Sequence, residues 1–240
     1  METARPILLL TRPEAQSRRF ADAFRARFGA DWPVVIAPLT EIVWLSPALP
    51  VKLPAHVVFT SENAVRAFVR LTPDRSATAW CVGPRTQAVA EAAGFATRLG
   101  PGDGAGLARL IAASGEVRTV LYARPFHAAA DLAGELKSAG IDTVSVVVYD
   151  QEARPLSADA IRVLGGPSPV LLPLFSPRSA SLAEAAVRDV RAPILLAAIS
   201  GAVAQEARGI PALHSVTAAR PDGEAMLDAL GALIAAVKTG

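Results

Sequence analysis

The sequence contains one strand–turn–helix pattern twice, and this repetition constrains the fold more than any other feature. Several turn residues recur at an offset of about 115 residues. The matching residues are Arg12-Pro13 with Arg124-Pro125, Ser61 with Ser176, Gly83 with Ser200, and Asp103-Gly104 with Asp222-Gly223. This period is too long for a solenoid repeat and is typical of a duplicated domain. The chain therefore predicts two similar domains.

Apolar, strand-like runs alternate with helical runs in both halves of the chain. The run "HVVFT" at 56–60 precedes a helical pattern, and "PVLLPLF" at 169–175 does the same. This alternation predicts parallel sheets that are covered by helices on both faces. Two proline-rich stretches, 38–54 and 150–169, suit linkers between domains. If both are linkers, the middle of the chain forms one domain and its two ends form the other.

The residues that follow the predicted strands are the candidate binding residues, because ligands of open α/β sheets bind beyond the carboxyl ends of the strands. In this chain they are small, hydroxylic, amide-bearing or basic, and each set opens a helix. The candidates are Thr11, Arg12, Ser61, Asn63, Gly83, Arg85, Thr86, Arg124, Ser176, Arg178, Ser179 and Ser200.

These junctions have two interpretations. Any one serine is equally well explained as an ordinary helix N-cap, which stabilises a helix by about 1 kcal/mol. Several junctions facing one cleft instead indicate an anion site, because helix N-termini offer unpaired N–H groups and partial positive charge. Arginine side chains at four of the junctions can hold carboxylates in bidentate fashion. The pattern therefore favours a ligand with many carboxylates over one with a single phosphate.

Composition and motifs exclude several other classes of protein. The net charge is only +2 and no block of lysine or arginine occurs, so we expect no nucleic-acid partner. The apolar run near the N-terminus covers four residues, "ILLL", too few for a signal or a membrane span. The single cysteine, Cys81, excludes an internal disulfide and fits a reducing compartment. The three histidines lack metal-site spacing, and no dinucleotide, P-loop or nucleophile-elbow motif is present. We expect a cytoplasmic protein without metal or membrane partner.

With these features in view, the chain resembles the uroporphyrinogen-III synthase family over essentially its whole length. The resemblance rests on short motifs that occur in family order. They are "LLLTRPEAQ", "VVFTSENAVRAF", "CVGPRTQAVAEAAGF", "VLYARP", "LAGELKSAG", "VVVYD", "LFSPRSA" and "ILLAAIS". The ordered set is much more specific than any single motif.

The resemblance implies a fold of two doubly wound, flavodoxin-like α/β domains, joined by a two-stranded linker, with the substrate in the cleft between them. On this basis the discontinuous domain comprises 1–40 and 156–240, the inserted domain 50–148, and the hinge strands 41–49 and 149–155. The implied activity is the cyclisation of hydroxymethylbilane to uroporphyrinogen III, with loss of water and inversion of ring D. No cofactor is implied.

The resemblance also implies roles for particular residues. The substrate carries eight carboxylates, which the polar junctions would bind. Ser61 and Thr86 lie in the family's serine and threonine turns, and Tyr149 ends its "VY" strand. That tyrosine is either a group that assists departure of the hydroxyl or a structural anchor of the hinge. The implied partners are the linear tetrapyrrole and, transiently, hydroxymethylbilane synthase, and we expect a monomer.

The sequence departs from the family pattern at two junctions. Pro125 stands where the family often has glycine, and Val203 stands where a second turn usually has threonine. The second departure removes a hydroxyl, although Val203 could equally be a core residue. A different class of function therefore stays open, namely a two-domain binder of tetrapyrroles or other anions that has no catalytic activity.

Overall fold

The computed structural model describes residues 5–128, 131–187 and 190–238. Its chain divides into two compact units. One unit is the chain up to Glu41 together with the chain from Ala153 onward, and the other is Ile42–Glu152. Each contains one sheet with helices on both faces, so the predicted class of two parallel-sheet α/β domains is confirmed.

The elements alternate along the described part of the chain as the hydrophobic pattern predicts. The strands are β1 (Ile7–Leu10), β2 (Val34–Ile36), β3 (Thr40–Trp44), β4 (His56–Phe59), β5 (Thr78–Cys81), β6 (Thr97–Leu99), β7 (Thr119–Pro125), β8 (Asp142–Ala153), β9 (Val170–Leu174), β10 (Ile194–Ala198) and β11 (Ala212–Thr217). The helices are α1 (Glu14–Phe28), α2 (Glu62–Leu71), α3 (Pro84–Ala92), α4 (Gly104–Ala113), α5 (Leu132–Ser138), α6 (Ala158–Leu164), α7 (Pro177–Ala186), α8 (Gly201–Glu206) and α9 (Gly223–Lys238). The stretch 150–169 is less irregular than its prolines predict, because it contains the end of β8 and all of α6.

The two sheets have the same strand order once the repeated turn residues are matched. The first unit has the order β11-β10-β9-β1-β2, and the second has β6-β5-β4-β7-β8-β3. Matching the turns pairs β1 with β7, β9 with β4, β10 with β5 and β11 with β6. Each unit therefore combines the first two strands of one half with the last three strands of the other half, and β3 adds a sixth strand at the edge of the second sheet.

Nearly all of the neighbouring strands run parallel. This holds from β11 to β2 in the first unit and from β6 to β8 in the second. The edge strand β3 runs antiparallel to β8, since Leu45 N–H donates to Val148 and Arg154 N–H donates to Leu39. Residue numbers therefore increase along β3 while those of the facing residues on β8 decrease. In this register Trp44 lies opposite Tyr149.

Alternating side chains of each strand enter the cores on opposite faces of the sheets. In the first unit Leu8 and Leu10 pack on one face and Leu9 on the other. In the second unit Phe59 and Val58 divide in the same way. This period of two follows from the pleat of a strand, and it explains why the strands read as continuous apolar runs.

Within the described residues, no helix is long and apolar enough to cross a membrane.

Candidate functional site

Two sheet edges carry the residues that were predicted from the sequence. In the second unit β4, β5 and β7 are parallel neighbours, so Ser61, Gly83 and Arg124 lie at one carboxyl edge. In the first unit β1, β9 and β10 are parallel neighbours, so Thr11 and Ser200 share an edge with Ser176. Within each unit, the parallel pairing of neighbouring strands therefore places these turns side by side at one edge of the sheet.

Ser61 is the helix cap of α2 and also the partner of a phenol. Its backbone is extended, with φ −156° and ψ 155°, and its Oγ accepts the N–H of Ala64 at 3.1 Å. The same oxygen lies 2.8 Å from the Tyr149 hydroxyl. The N-cap interpretation of Ser61 is therefore correct, and the residue has a second contact that an ordinary cap lacks.

Tyr149 is held at this edge in an apolar environment. Its side chain is 3% exposed and belongs to the core between the sheet, α2 and α3. The Trp44 ring lies 6.5 Å away, at an angle of 55°. Burial raises the pKa of the Tyr149 hydroxyl, while the hydrogen bond with Ser61 acts in the opposite direction. The phenol is therefore neutral at physiological pH and is a hydrogen-bonding group, not a base.

A second phenol, which sequence reasoning missed, lies beside the neighbouring hydroxyl. The Tyr122 hydroxyl is 3.4 Å from the Thr60 Oγ1, and burial raises its pKa as well. Tyr122 packs on the opposite face of the sheet from Tyr149. The consecutive hydroxyls of Thr60 and Ser61 thus each have a phenol partner, one on each face.

Glu62 joins two arginines at the same edge. Its carboxylate is buried, and Oε2 lies 3.0 Å from Arg66 Nη2 and 3.5 Å from Arg85 Nε. Arg85 is largely exposed, with 58% side-chain exposure, and it stands on the first turn of α3. The Glu62 carboxylate, at the N-terminus of α2, therefore forms an ion pair with Arg85, a candidate carboxylate-binding residue at the N-terminus of α3. The sequence marked Arg85 but could not show this partner.

The remaining candidates of the second unit differ in accessibility. Asn63 and Thr86 are 6% and 5% exposed. Gly83 caps α3 without a side chain, and its extended backbone would suit other residues. Arg124 Nη1 donates to the backbone oxygens of Pro125 and Phe126, at 2.9 and 3.2 Å. The Arg124 side chain therefore lies along the end of β7.

The first unit presents hydroxyls and arginines in a similar arrangement. Thr11 is 3% exposed, and its Oγ1 has no hydrogen-bond partner within the described part of the chain. The Arg12 guanidinium lies 4.1 Å from the centroid of the Phe175 ring. Arg178 stands on the first turn of α7, two residues after Ser176. Ser200 accepts the N–H of Val203 at 3.4 Å.

Val203 belongs to the core of the first unit. Its side chain is 1% exposed and packs with the strands on the α7–α8 face. A valine at this position contributes apolar burial, whereas an unpartnered hydroxyl here would be costly. Val203 is therefore a core residue, and apolar packing takes the place of the missing threonine hydroxyl.

Ser176 forms a capping box with Ser179. Ser176 Oγ accepts the Ser179 N–H at 3.1 Å, and the Ser176 N–H donates to Ser179 Oγ at 3.1 Å. We expect Ser176→Ala to lower the free energy of unfolding by about 1 kcal/mol. Urea unfolding followed by circular dichroism measures this change. Ser181→Ala, at an exposed position of the same helix, is the control and should change the stability by less than about 0.5 kcal/mol.

Comparisons with known proteins agree on one family. A family model described as uroporphyrinogen-III synthase HemD matches residues 19–228. The search of curated proteins finds no match. The chain is similar to the crystal structure of uroporphyrinogen-III synthetase from Helicobacter pylori, with 19% identity, 95% of this chain and 99% of that chain covered, and a TM-score of 0.69. It is also similar to a mutant uroporphyrinogen III synthase from Thermus thermophilus, with 13% identity, 97% and 100% covered, and a TM-score of 0.56. These structural similarities show the fold.

Proposed function

The chain belongs to the uroporphyrinogen-III synthase family of tetrapyrrole-synthesising enzymes, and from this premise we propose that it cyclises hydroxymethylbilane to uroporphyrinogen III. The reaction loses water and inverts ring D, which makes the enzyme a lyase. The observation that carries the proposal is the family match, which extends over residues 19–228. The polar strand ends described above support it.

The charge pattern of the two edges supports a substrate with many carboxylates. Helix N-termini that follow parallel strands present N–H groups to anions. Arg12, Arg85, Arg124 and Arg178 add guanidinium groups at these edges. We propose that the acetate and propionate arms bind to these arginines and to the hydroxyls of both edges, with Thr86 and Asn63 among the donors of the second unit.

Catalysis in this proposal consists mainly of positioning. The reactive cation arises in the substrate when its hydroxyl departs, so the protein has to fold the chain of rings and hold the correct carbon near the cation. Hydrogen bonds near the departing hydroxyl would add to this effect. Tyr149 and Ser61 are the groups that we place there.

We further propose that the enzyme is a cytoplasmic monomer that receives its substrate from hydroxymethylbilane synthase. The single buried cysteine suits a reducing compartment. The substrate cyclises spontaneously to the type I isomer, so a short transfer distance would favour the enzymatic product. Analytical ultracentrifugation of the protein, alone and with the preceding enzyme, tests both statements.

The decisive experiment is a coupled cyclisation assay. Hydroxymethylbilane is generated in situ, the protein is added, and the oxidised products are separated into type I and type III isomers. We expect predominantly type III. If only the spontaneous type I isomer forms, the synthase proposal is wrong, and the chain is better described as a binder of tetrapyrroles without catalytic activity.

A further inference from the structure

The hydrogen bond between Tyr149 and Ser61 has a direction that burial decides. Among the described residues, Ser61 Oγ is the only hydrogen-bond partner of the Tyr149 hydroxyl, at 2.8 Å. The tyrosine is 3% exposed, so its hydroxyl is buried beside that single partner. A buried hydroxyl proton without an acceptor would be destabilising. The distance allows either oxygen to donate, and the arrangement that satisfies the buried phenol proton is the one in which the phenol O–H donates to Ser61.

Ser61 then has two accepted hydrogen bonds and one proton left to donate. Its Oγ accepts the Tyr149 O–H and the Ala64 N–H, at 2.8 and 3.1 Å. These two donors use both lone pairs of the serine oxygen. The serine side chain is only partly buried, and it lies beyond the carboxyl end of β4. Its own O–H has no acceptor among the described residues in this arrangement, so that proton is left for a bound ligand.

We propose that Ser61 is the group that donates a hydrogen bond to a substrate oxygen at this edge, and that Tyr149 is a positioning residue that acts through Ser61. This assignment rests on the proposed function and gives Tyr149 a role that differs from both alternatives of the family resemblance, because the phenol acts through Ser61 and not on the substrate. The acceptor is an oxygen of the substrate, either a carboxylate or the departing hydroxyl. Tyr149 fixes the serine rotamer and makes its oxygen a better donor by polarising it.

Trp44, on the neighbouring strand β3, packs against Tyr149. It lies opposite Tyr149 on β3, and its ring packs at 6.5 Å from the phenol ring. The Arg70 guanidinium lies 5.5 Å from the Trp44 ring. Trp44 is itself 37% exposed, so it shields Tyr149 while remaining at the surface. The orientation of Tyr149 is therefore set by a cross-strand contact and by Ser61 together.

A double-mutant cycle on the isomer assay tests the assignment. Ser61→Ala should lower kcat/KM by about threefold to tenfold, the effect of one hydrogen bond. Tyr149→Phe should have a smaller effect in the wild-type background and none in the Ser61→Ala background. Ser61→Thr, which keeps the hydroxyl, should restore most of the activity. If Tyr149→Phe slows turnover equally in both backgrounds, Tyr149 acts directly on the substrate and the assignment is wrong.

The same cycle distinguishes the two acceptors. A bond to a carboxylate is present before and during the reaction, so its loss raises KM and leaves kcat nearly unchanged. A bond to the departing hydroxyl strengthens in the transition state, so its loss lowers kcat. Thermal unfolding of each variant should show a folded protein, because the loss of one helix cap removes only a small part of the stability of a domain.

A spectroscopic measurement tests the contact without turnover. The chain has 2 tyrosines, so Tyr122→Phe leaves the ultraviolet absorption of the Tyr149 phenolate alone. In that background, Ser61→Ala should shift the ionisation of Tyr149 to higher pH, because the serine O–H can turn and donate to the phenolate once the phenol has lost its proton. An unchanged ionisation would overturn the Ser61–Tyr149 coupling even in an active enzyme. The predicted shift would stand even if the cyclisation assay failed.

Discussion

Phe59→Ala should lower the free energy of unfolding by about 3–5 kcal/mol, which is the usual cost of removing a fully buried phenylalanine. Phe59 is 0% exposed and ends β4. Its ring packs edge-on against Phe68 and Phe95, with centroids at 5.6 and 5.7 Å. The alanine leaves a cavity between the central strand and α2. Urea unfolding followed by circular dichroism measures the loss.

Activity should fall with stability in this variant, because Phe59 directly precedes Thr60 and Ser61. A cavity at Phe59 removes the support of the turn that carries these hydroxyls. Phe126→Ala is the matched control, since Phe126 is 57% exposed and its loss should change stability by less than about 0.5 kcal/mol. Equal destabilisation by the two substitutions would contradict the assignment of Phe59 to the core.

The second large effect concerns Cys81 at alkaline pH. Burial, with a smaller contribution from the charge of Glu91, raises the pKa of the Cys81 thiol from 9.0 to about 12. The folded protein therefore keeps the thiol proton where the unfolded chain releases it. The resulting stability is fully present below pH 9 and is lost as the pH rises through the folded pKa. The loss amounts to about 4 kcal/mol at most.

The comparison of wild type with Cys81→Ala isolates this contribution. We expect the free energy of unfolding of the wild type to decrease more steeply between about pH 9 and pH 11 than that of the variant. Lysines and tyrosines titrate in both proteins and cancel in the difference. Independently, the thiol of the folded protein should react slowly with a disulfide reagent at about pH 8 and rapidly in denaturant. Fast reaction of the folded protein would show that Cys81 is not protected.

The helix caps at the carboxyl edges are predictable from the local sequence. Ser61, Ser176, Ser200 and Asp103 each accept a backbone N–H three residues ahead, as their positions before helical runs indicate. These caps involve contiguous residues, so the pattern of side chains alone predicts them. The repeated turns likewise predict which strands correspond in the two sheets.

The long-range contacts at the carboxyl edge of the second sheet could not be predicted from the sequence. Ser61 and Tyr149 are 88 residues apart, and nothing in either local pattern indicates the other. Their contact depends on β7 and β8 pairing in one register, with Pro125 beside Tyr149 after a shift at Arg124. The bridge from Glu62 to Arg85 similarly requires that the N-termini of α2 and α3 lie side by side.

The sequence by itself determined the alternation of strands and helices, the apolar faces and the helix caps, because each depends on residues within one or two turns of each other. Only the tertiary structure decided that Ser61 has a phenol partner, that Glu62 holds Arg85, and that Val203 is core. The contact of Ser61 with Tyr149 depends on strand register, because a slip of one residue along β8 would turn Tyr149 to the opposite face of the sheet. The other two depend on how the helices pack on the sheets. Register is set by the packing of the whole sheet between its helices.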